Sequence, residues 1–597
     1  MSTGVGERAL EDLRTVRVIH PMLLSLTPLL GLYAQNVEVT PFAALLPPAL
    51  YLILGSLVLW LLGWALLRDR YRAGLAVSTL VLFLVVLWGV LEDIISRVIP
   101  VLAVWSPWTF YAVFGLVAVL VIGGVAWRAR GNRDSLRALV LVLVPAALAG
   151  FAVAAFLLTP IFGRRAAWMI TAYLMLTGFS VRAALRYGGD TRVATRSANW
   201  FAAILVALYV AVVGFNRVPG AEVKTVDLAI AAHQEEAGVS GAQLPDIYLI
   251  ALDGYARGDI LASEYGYNNL AFEGALRELG FTIPESSQSN YTHPVYSIAA
   301  CLNMDYLSAV VPEETRATSG VGTVLQLYHD NRVFRFLREQ GYEIVVFSPG
   351  MQSLEPRLPN VRCISPSESA SEFEIVLADR TAVSRIMEAV YFARYDNPAY
   401  WRFAYRSTRI LAALEGMPKL SKDDSPKPRF VLAHLSLPDP PFLFTRDGYP
   451  AQPFGPGSLS IHQGFRGEEA EFRAAYLDQL YFTNQKLREA IDGIVRNSAR
   501  PAVVLLVSSR GAPLLLQREP GTGSQRYASL IAVRFPNGAS QGAGKDVYPA
   551  ITPVNLFRVV FNRLFDTRLP LIEDRQWVVS DERPLEATPA PAERVDS

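Results

Sequence analysis

The sequence is short of charge: only 18% of its 597 residues are Asp, Glu, Lys or Arg, against about 25% in a typical soluble globular protein. The deficit is concentrated in residues 18–215, a succession of long apolar runs, whereas residues 245–575 read as an ordinary mixed α/β sequence. A fully soluble protein is therefore excluded. The net charge is only +1, so there is no global basic field, and nucleic acid is not an expected partner. Cysteine is equally scarce. Cys301 and Cys363 are the whole complement, which excludes a disulfide-rich scaffold and a cysteine-based zinc ribbon and permits at most one bridge.

A spanning helix needs ~20 predominantly apolar residues. Seven segments qualify, at roughly 18–34, 41–67, 73–91, 108–127, 138–160, 166–181 and 199–215. The sixth is short and also reads as a re-entrant or interfacial segment. The arginines arbitrate. With seven crossings and a cytoplasmic N-terminus, Arg68, Arg70, Arg72, Arg128, Arg130, Arg133, Arg137, Arg182, Arg186, Arg192 and Arg196 fall inside. The outside loops hold only Arg97, Arg164 and Arg165, in keeping with the positive-inside rule. This topology places everything after residue 217 on the external face of a cell membrane. Residues 1–17 are charged and lead straight into the array, which is not the pattern of a cleavable signal peptide.

The span cores lack ionisable residues, since His20, Glu92 and Asp93 lie at span ends. Intramembrane charges mark ion paths and proton relays, so a transporter is disfavoured. Trp60, Trp64, Trp105, Trp108, Trp168 and Trp200 near the span ends suit interfacial anchoring. The expected role of this half is an anchor and helical platform embedded in the lipid bilayer.

After a polar, Gly- and Ala-containing linker at 218–244, the signal changes. Short apolar runs recur at Ile247–Asp253, Tyr342–Ser348, Phe430–Ser436, Ala502–Ser509 and Ser529–Phe535. Continuous rather than alternating apolar strands indicate a sheet buried on both faces. Helical stretches at Asn331–Gln340 and Glu468–Arg496 lie between them. The alternation predicts a mostly parallel sheet with helices on both sides. Working residues in such sheets sit beyond the carboxyl ends of strands. Here those are Asp253 and Gly254, His434 to Phe442, and Ser509 to Gly511, joined by the loop-to-helix segment Ser289–Leu307.

Five segments carry a resemblance: PDIYLIALDGYARGDIL, SNYTHPVYSIAACLNMDYL, AHLSLPDPPFLF, VSSRGAP and ITPVNLFRVVFNRLF. In this order they resemble the membrane-bound sulfatase-like branch of the alkaline phosphatase superfamily, which includes sulfatases, phosphoethanolamine transferases and lipoteichoic acid synthase. The resemblance covers most of residues 245–575. It implies an alkaline phosphatase/sulfatase-like fold, a divalent metal (Mn, Mg or Zn), a nucleophile at a helix start, and an Asp-His-Gly turn that adds two metal ligands. A metal in such a site lowers the nucleophile's pKa and neutralises charge on the transferred group.

Carried over position by position, most of that set is missing. Asp253 stands at the first acidic ligand, but the nucleophile position falls on Pro294 and the Asp-His-Gly turn reads Ser509-Arg510-Gly511. His434 remains in the middle segment, while the expected His before the Pro-Pro-Phe run is Asp439. A lone carboxylate holds a divalent ion weakly. Arg510 also puts a fixed cation where a ligand should point, so it is expected to pair with Asp253 in place of the metal. Plainer readings stand beside these. Thr292 is a displaced nucleophile or an N-cap. Ser297 is a displaced hydroxyl or packs, and His293 is a base or a solvated loop residue. His434 with Asp439 forms a small polar site or finishes a strand. Cys301 reads as a buried small hydrophobe. Asn290-Tyr291-Thr292 matches a glycosylation acceptor.

Residues 349–429 read as an insertion with helices at Glu372–Glu388 and Trp401–Leu414, Thr445–Gly467 as a long loop, and 576–597 as a disordered tail. Two functions follow as expectations. The first is a non-catalytic pseudoenzyme that binds an anionic envelope glycan or lipid, or supports an active paralogue, with no cofactor. The second is a working metal-dependent phospho- or sulfo-transferase or hydrolase using Asp253, His434 and a displaced hydroxyl.

Overall fold

The structure, a computed structural model, describes residues 16–37, 40–88, 185–216 and 244–590, with a few residues between 178 and 230. Within the last range it omits 318, 350, 357, 367–369, 396–399, 452–468, 514–523, 537–545 and 581–582. The chain divides into two compact units: 1–37, 41–217 and 373–398 form the first, and 38–40, 218–372 and 399–597 the second.

Among the described residues of the first unit two helices are long and apolar enough to cross a membrane, Phe42–Leu67 and Thr191–Phe215, with mean hydropathy 2.2 and 2.1 over their best windows. They turn their large side chains outward. Leu50, Leu54, Val58 and Leu62 of the first and Trp200, Ile204 and Leu208 of the second are exposed, while the first buries only Pro48 and Ser56. The expected first span is two short helices, His20–Ser25 and Thr27–Gln35, the second with Pro28 in its first turn. That proline has no N–H to continue the preceding helix. The third span is described as helix Arg70–Val81 followed by a π-helical turn, Leu82–Val86. His20 ties these elements together: its ring bonds the Ser78 hydroxyl and its backbone N–H donates to Asn199 Oδ1 at 3.0 Å. The spans expected at 108–127, 138–160 and, but for Gly178 and Val181, 166–181 lie outside the described residues.

The second unit is built on a six-stranded sheet. Its strands are β1 (Asp246–Asp253), β2 (Glu343–Phe347), β3 (Val361–Ile364), β4 (Arg429–Pro438), β5 (Ala502–Ser508) and β6 (Ile531–Arg534), in spatial order β3-β2-β4-β1-β5-β6. All neighbours run parallel except β5 and β6. The mostly parallel sheet matches the expectation; the edge strand β3, half-exposed and only four residues long, gave no apolar run to read.

The strand period explains the unbroken apolar runs. Ile247, Leu249 and Ala251 of β1 join one core, packed under helices Pro294–Asn303, Val321–His329, Arg332–Glu339 and Pro553–Phe565. Tyr248, Ile250 and Leu252 join another, under helices Leu270–Glu278, Trp401–Ser421 and Glu469–Asn497. Two faces are both dry, so neither set of alternate positions is polar.

Two expectations need correction. Within the tail expected from 576, the described residues 576–580 and 583–590 are ordered. Trp577–Val578 pairs antiparallel with Thr588–Pro589, Trp577 N–H donates to Asn290 O at 2.9 Å, and Leu585 is buried in the core. A few apolar side chains suffice to dock a segment whose composition is otherwise that of a loop. Second, the helix expected over Glu372–Glu388 is two helices, Glu372–Asp379 and Val383–Tyr395, and from Phe373 to Pro398 the chain belongs to the first unit. Of the loop expected at 445–467, only the part up to Ala451 lies within the described residues.

Candidate functional site

The parallel register brings three chain segments together at the carboxyl end of β1, which lies between β4 and β5. The pairing of β1 with β4 jumps from Leu252 opposite Leu435 to Asp253 opposite Pro438. This carries the Pro-Asp-Pro-Pro turn over the end of β1. Backbone bonds lock the segments: Asp439 N–H donates to Asp253 O at 3.1 Å and Ser509 N–H to Leu252 O at 2.7 Å. Ser508 Oγ accepts from Tyr255 N–H at 2.9 Å and donates to Arg510 O at 2.7 Å. Gly254 is required here. Its φ is +72°, and a Cβ would stand 2.5 Å from Asp439 Oδ1.

The five remnant residues, Asp253, His434, Asp439, Ser509 and Arg510, are all buried at this one place. Asp253 Oδ1 bonds His434 Nε2 at 2.9 Å and accepts from Ser509 Oγ at 2.7 Å. His434 Nδ1 faces the Tyr328 hydroxyl at 3.3 Å. Arg510 Nη2 donates to Asp439 Oδ2 at 2.5 Å.

The expected pairing of Arg510 with Asp253 is thus corrected: the hydrogen-bonded partner of the guanidinium is Asp439. The physical reason is occupancy. Asp253 already serves His434 and Ser509, and the bare Cα of Gly254 leaves room for the Asp439 carboxylate beside it.

Burial pushes both carboxyls up, and their neighbours then separate them. For Asp253, the charge of His434, hydrogen bonds from His434 and Ser509, and the charge of Arg510 outweigh burial and hold it below the usual carboxylate value. For Asp439 burial wins: despite Arg510 its pKa is raised to about 6, with the Asp253 charge adding to the rise.

The donor set does not fit a divalent metal as it stands. Asp439 Oδ1 has no hydrogen-bond partner, yet its carboxylate already binds a guanidinium, and a second cation beside a fixed one is repelled. Among the described residues, no group of three or more His, Cys, Asp or Glu side chains converges as a metal cage.

The candidate hydroxyls lie elsewhere in the bonding pattern. Ser297 is buried, donating to Tyr291 O at 3.0 Å and accepting from Tyr291 N–H at 3.3 Å. Helix Pro294–Asn303 has Pro294 in its first turn and His293, not Thr292, at its N-cap, with no side-chain cap bond. His293 stacks on Tyr296 with ring centroids 4.3 Å apart. Cys301 is buried, and burial pushes its thiol pKa up.

Sequence reasoning passed over the residues that hold the site in place. Helix Glu469–Asn497 sends Tyr476 and Gln479 to it from its buried face: Tyr476 OH donates to Gly254 O at 2.8 Å. Gln479 Nε2 donates to Asp439 O at 2.9 Å, and its Oε1 accepts from Leu443 N–H at 2.6 Å. A glutamine and a tyrosine on the apolar stripe of an amphipathic helix were the available signal. Tyr328 had none, being one more aromatic in an apolar helix.

No family model and no characterised protein matches the sequence. Among solved structures, the chain is similar to the zinc complex of the C-terminal periplasmic domain of EptC from Escherichia coli. That match is 10% identical and covers 61% of this chain and 97% of that one, with TM-score 0.37. It is also similar to the soluble domain of lipooligosaccharide phosphoethanolamine transferase A from Neisseria meningitidis, at 12% identity, 57% and 91% coverage and TM-score 0.35. A third is the phosphonate monoester hydrolase of Agrobacterium radiobacter, at 15% identity, 56% and 80% coverage and TM-score 0.34.

Proposed function

We propose that this chain is a membrane-anchored, sulfatase-like member of the alkaline phosphatase superfamily whose strand-end site no longer performs metal-dependent chemistry. It acts as a binding or scaffolding component in cell-envelope biogenesis. One observation carries the reading: at the turn where the resemblance calls for metal ligands, Arg510 forms a buried ion pair with Asp439. Such a pair neutralises the site from within. It also occupies the carboxylate that would otherwise compensate an incoming cation. Asp253 is likewise committed, to His434 and Ser509.

The anchoring part of the proposal rests on the two long apolar helices and on the arginine distribution, which together favour a cytoplasmic N-terminus and an external α/β unit. The ligand class that suits an external, membrane-tethered unit is an anionic envelope glycan or lipid; an active paralogue is the alternative partner.

The test is metal analysis of the purified full chain together with turnover of phosphodiester and sulfate ester substrates. The expected result is no stoichiometric zinc, manganese or magnesium, and no turnover above that of Asp253→Ala. Stoichiometric metal, with turnover abolished by Asp253→Ala, establishes the working transferase or hydrolase instead.

A further inference from the structure

The helix Val383–Tyr395 is polar on the inside and apolar on the outside. Val383, Ile386 and Val390 are exposed by 44%, 63% and 53%. Their spacing puts them on one face. The side turned to the protein carries Ser384, fully buried, and Glu388, buried in an ion pair with Arg385 at 2.6 Å. Water favours the reverse arrangement, so the medium facing this helix is apolar. The spanning helix Leu46–Leu67 has the same inverted pattern, burying Ser56 and exposing Leu50, Leu54 and Val58.

The position of the segment agrees. The preceding helix, Glu372–Asp379, buries Phe373 and Leu377 against Leu29, Leu32, Tyr33 and Leu45. Arg380 Nη1 donates to Gln35 Oε1 at 3.3 Å, and Ala382 N–H donates to Leu84 O at 2.8 Å. Gln35 ends one helix and Leu45 leads into the next, while Val213, packed on the same cluster, lies near the end of Thr191–Asn216. All are at the end of the bundle from which the chain continues to residue 218.

We propose that Val383–Tyr395 is an interfacial helix that inserts Val383, Ile386 and Val390 into the lipid of the leaflet at the end of the bundle from which the chain continues to residue 218. The occupant of its apolar face is the bilayer. A segment inserted in the middle of the α/β sequence thereby becomes a second attachment to the membrane, beyond the connection at 217. The orientation rests on the membrane-anchored reading above.

The test uses the full chain in nanodiscs of phosphatidylglycerol and phosphatidylcholine, with Cys363→Ser to remove the exposed native thiol. Nitroxides go on Ile386→Cys, on Val390→Cys as an independent second position, on Leu62→Cys within the span, and on Glu489→Cys on the α/β unit. Oxygen and water-soluble nickel chelate collisions then give depth. The expected result is exclusion of nickel at 386 and 390, with a depth of roughly 5–10 Å below the phosphates, and free access at 489. Nickel access at 386 and 390 with Leu62→Cys shielded overturns the proposal and leaves the anchored reading standing. Exclusion of both reagents at 386 and 390 means that protein covers the face, and also overturns it. Nickel access at position 62 refutes the anchored reading itself, and the proposal with it.

Discussion

Strand β1 and helix Leu46–Leu67 are both nearly pure apolar sequence, and they meet opposite surroundings. Every residue of Asp246–Asp253 is buried, whereas Leu46–Leu67 buries only Pro48 and Ser56. A strand of eight residues is too short to cross a bilayer, so β1 must find protein on both faces; a helix of twenty-two is long enough. The two regions also treat charge differently. The long helix carries none, while the dry end of β1 tolerates two carboxylates, a histidine and a guanidinium because each has a partner.

The contrast is tested most severely by Arg510→Ala, which leaves Asp439 buried without its cation. A loss of about 3–5 kcal/mol is expected when one member of a buried pair is removed, measured as chemical unfolding of the full chain at pH 8. The loss should shrink at pH 5, where Asp439 is already protonated. An unchanged midpoint at pH 8 would show that the pair contributes nothing.

Next in size is the contrast between a buried and an outward-facing leucine. Leu249→Ala should cost about 2–5 kcal/mol, as for a fully buried leucine. Leu54→Ala, facing outward, should stay within about 0.5 kcal/mol. Equal costs would mean that protein covers the outer face of the helix.

The last expected effect is in pH dependence. Because the folded pKa of Asp439 lies near 6, above the ordinary value of 3.8, its protonated form stabilises the fold. That contribution is complete below about pH 4 and is lost as pH rises through about 6. Asp253, held below the ordinary value, acts with the opposite sign, and its contribution is lost only as pH falls below that value. Asp439→Asn should therefore flatten the stability profile between roughly pH 4 and 6 and leave the acid limb from Asp253 in place. An unaltered profile would place the titration elsewhere.

Much of the sheet was legible because buried parallel strands advertise themselves as unbroken apolar runs. The departures have physical causes. Strand β3, Val361–Ile364, is an edge with half-exposed side chains and so lacks the run. The segment at 577–589 docks through Trp577 and Leu585, too few apolar residues to stand out from a loop composition. At the site, the residue types could be collected from the strand ends, since the fold class says where working residues gather. Tyr328 and Gln479 could not, because their partners His434 and Asp439 lie far away along the chain.

Run length and residue type act locally, so the residues alone say which segments leave water and which ionisable groups remain at the strand ends. Only the tertiary structure decided that Arg510 turns to Asp439 rather than Asp253, and that residues 373–398 join the apolar helices rather than the sheet. Both outcomes depend on which groups share a space in the folded chain. That is settled by register and packing between segments far apart in the chain, and no local pattern encodes it.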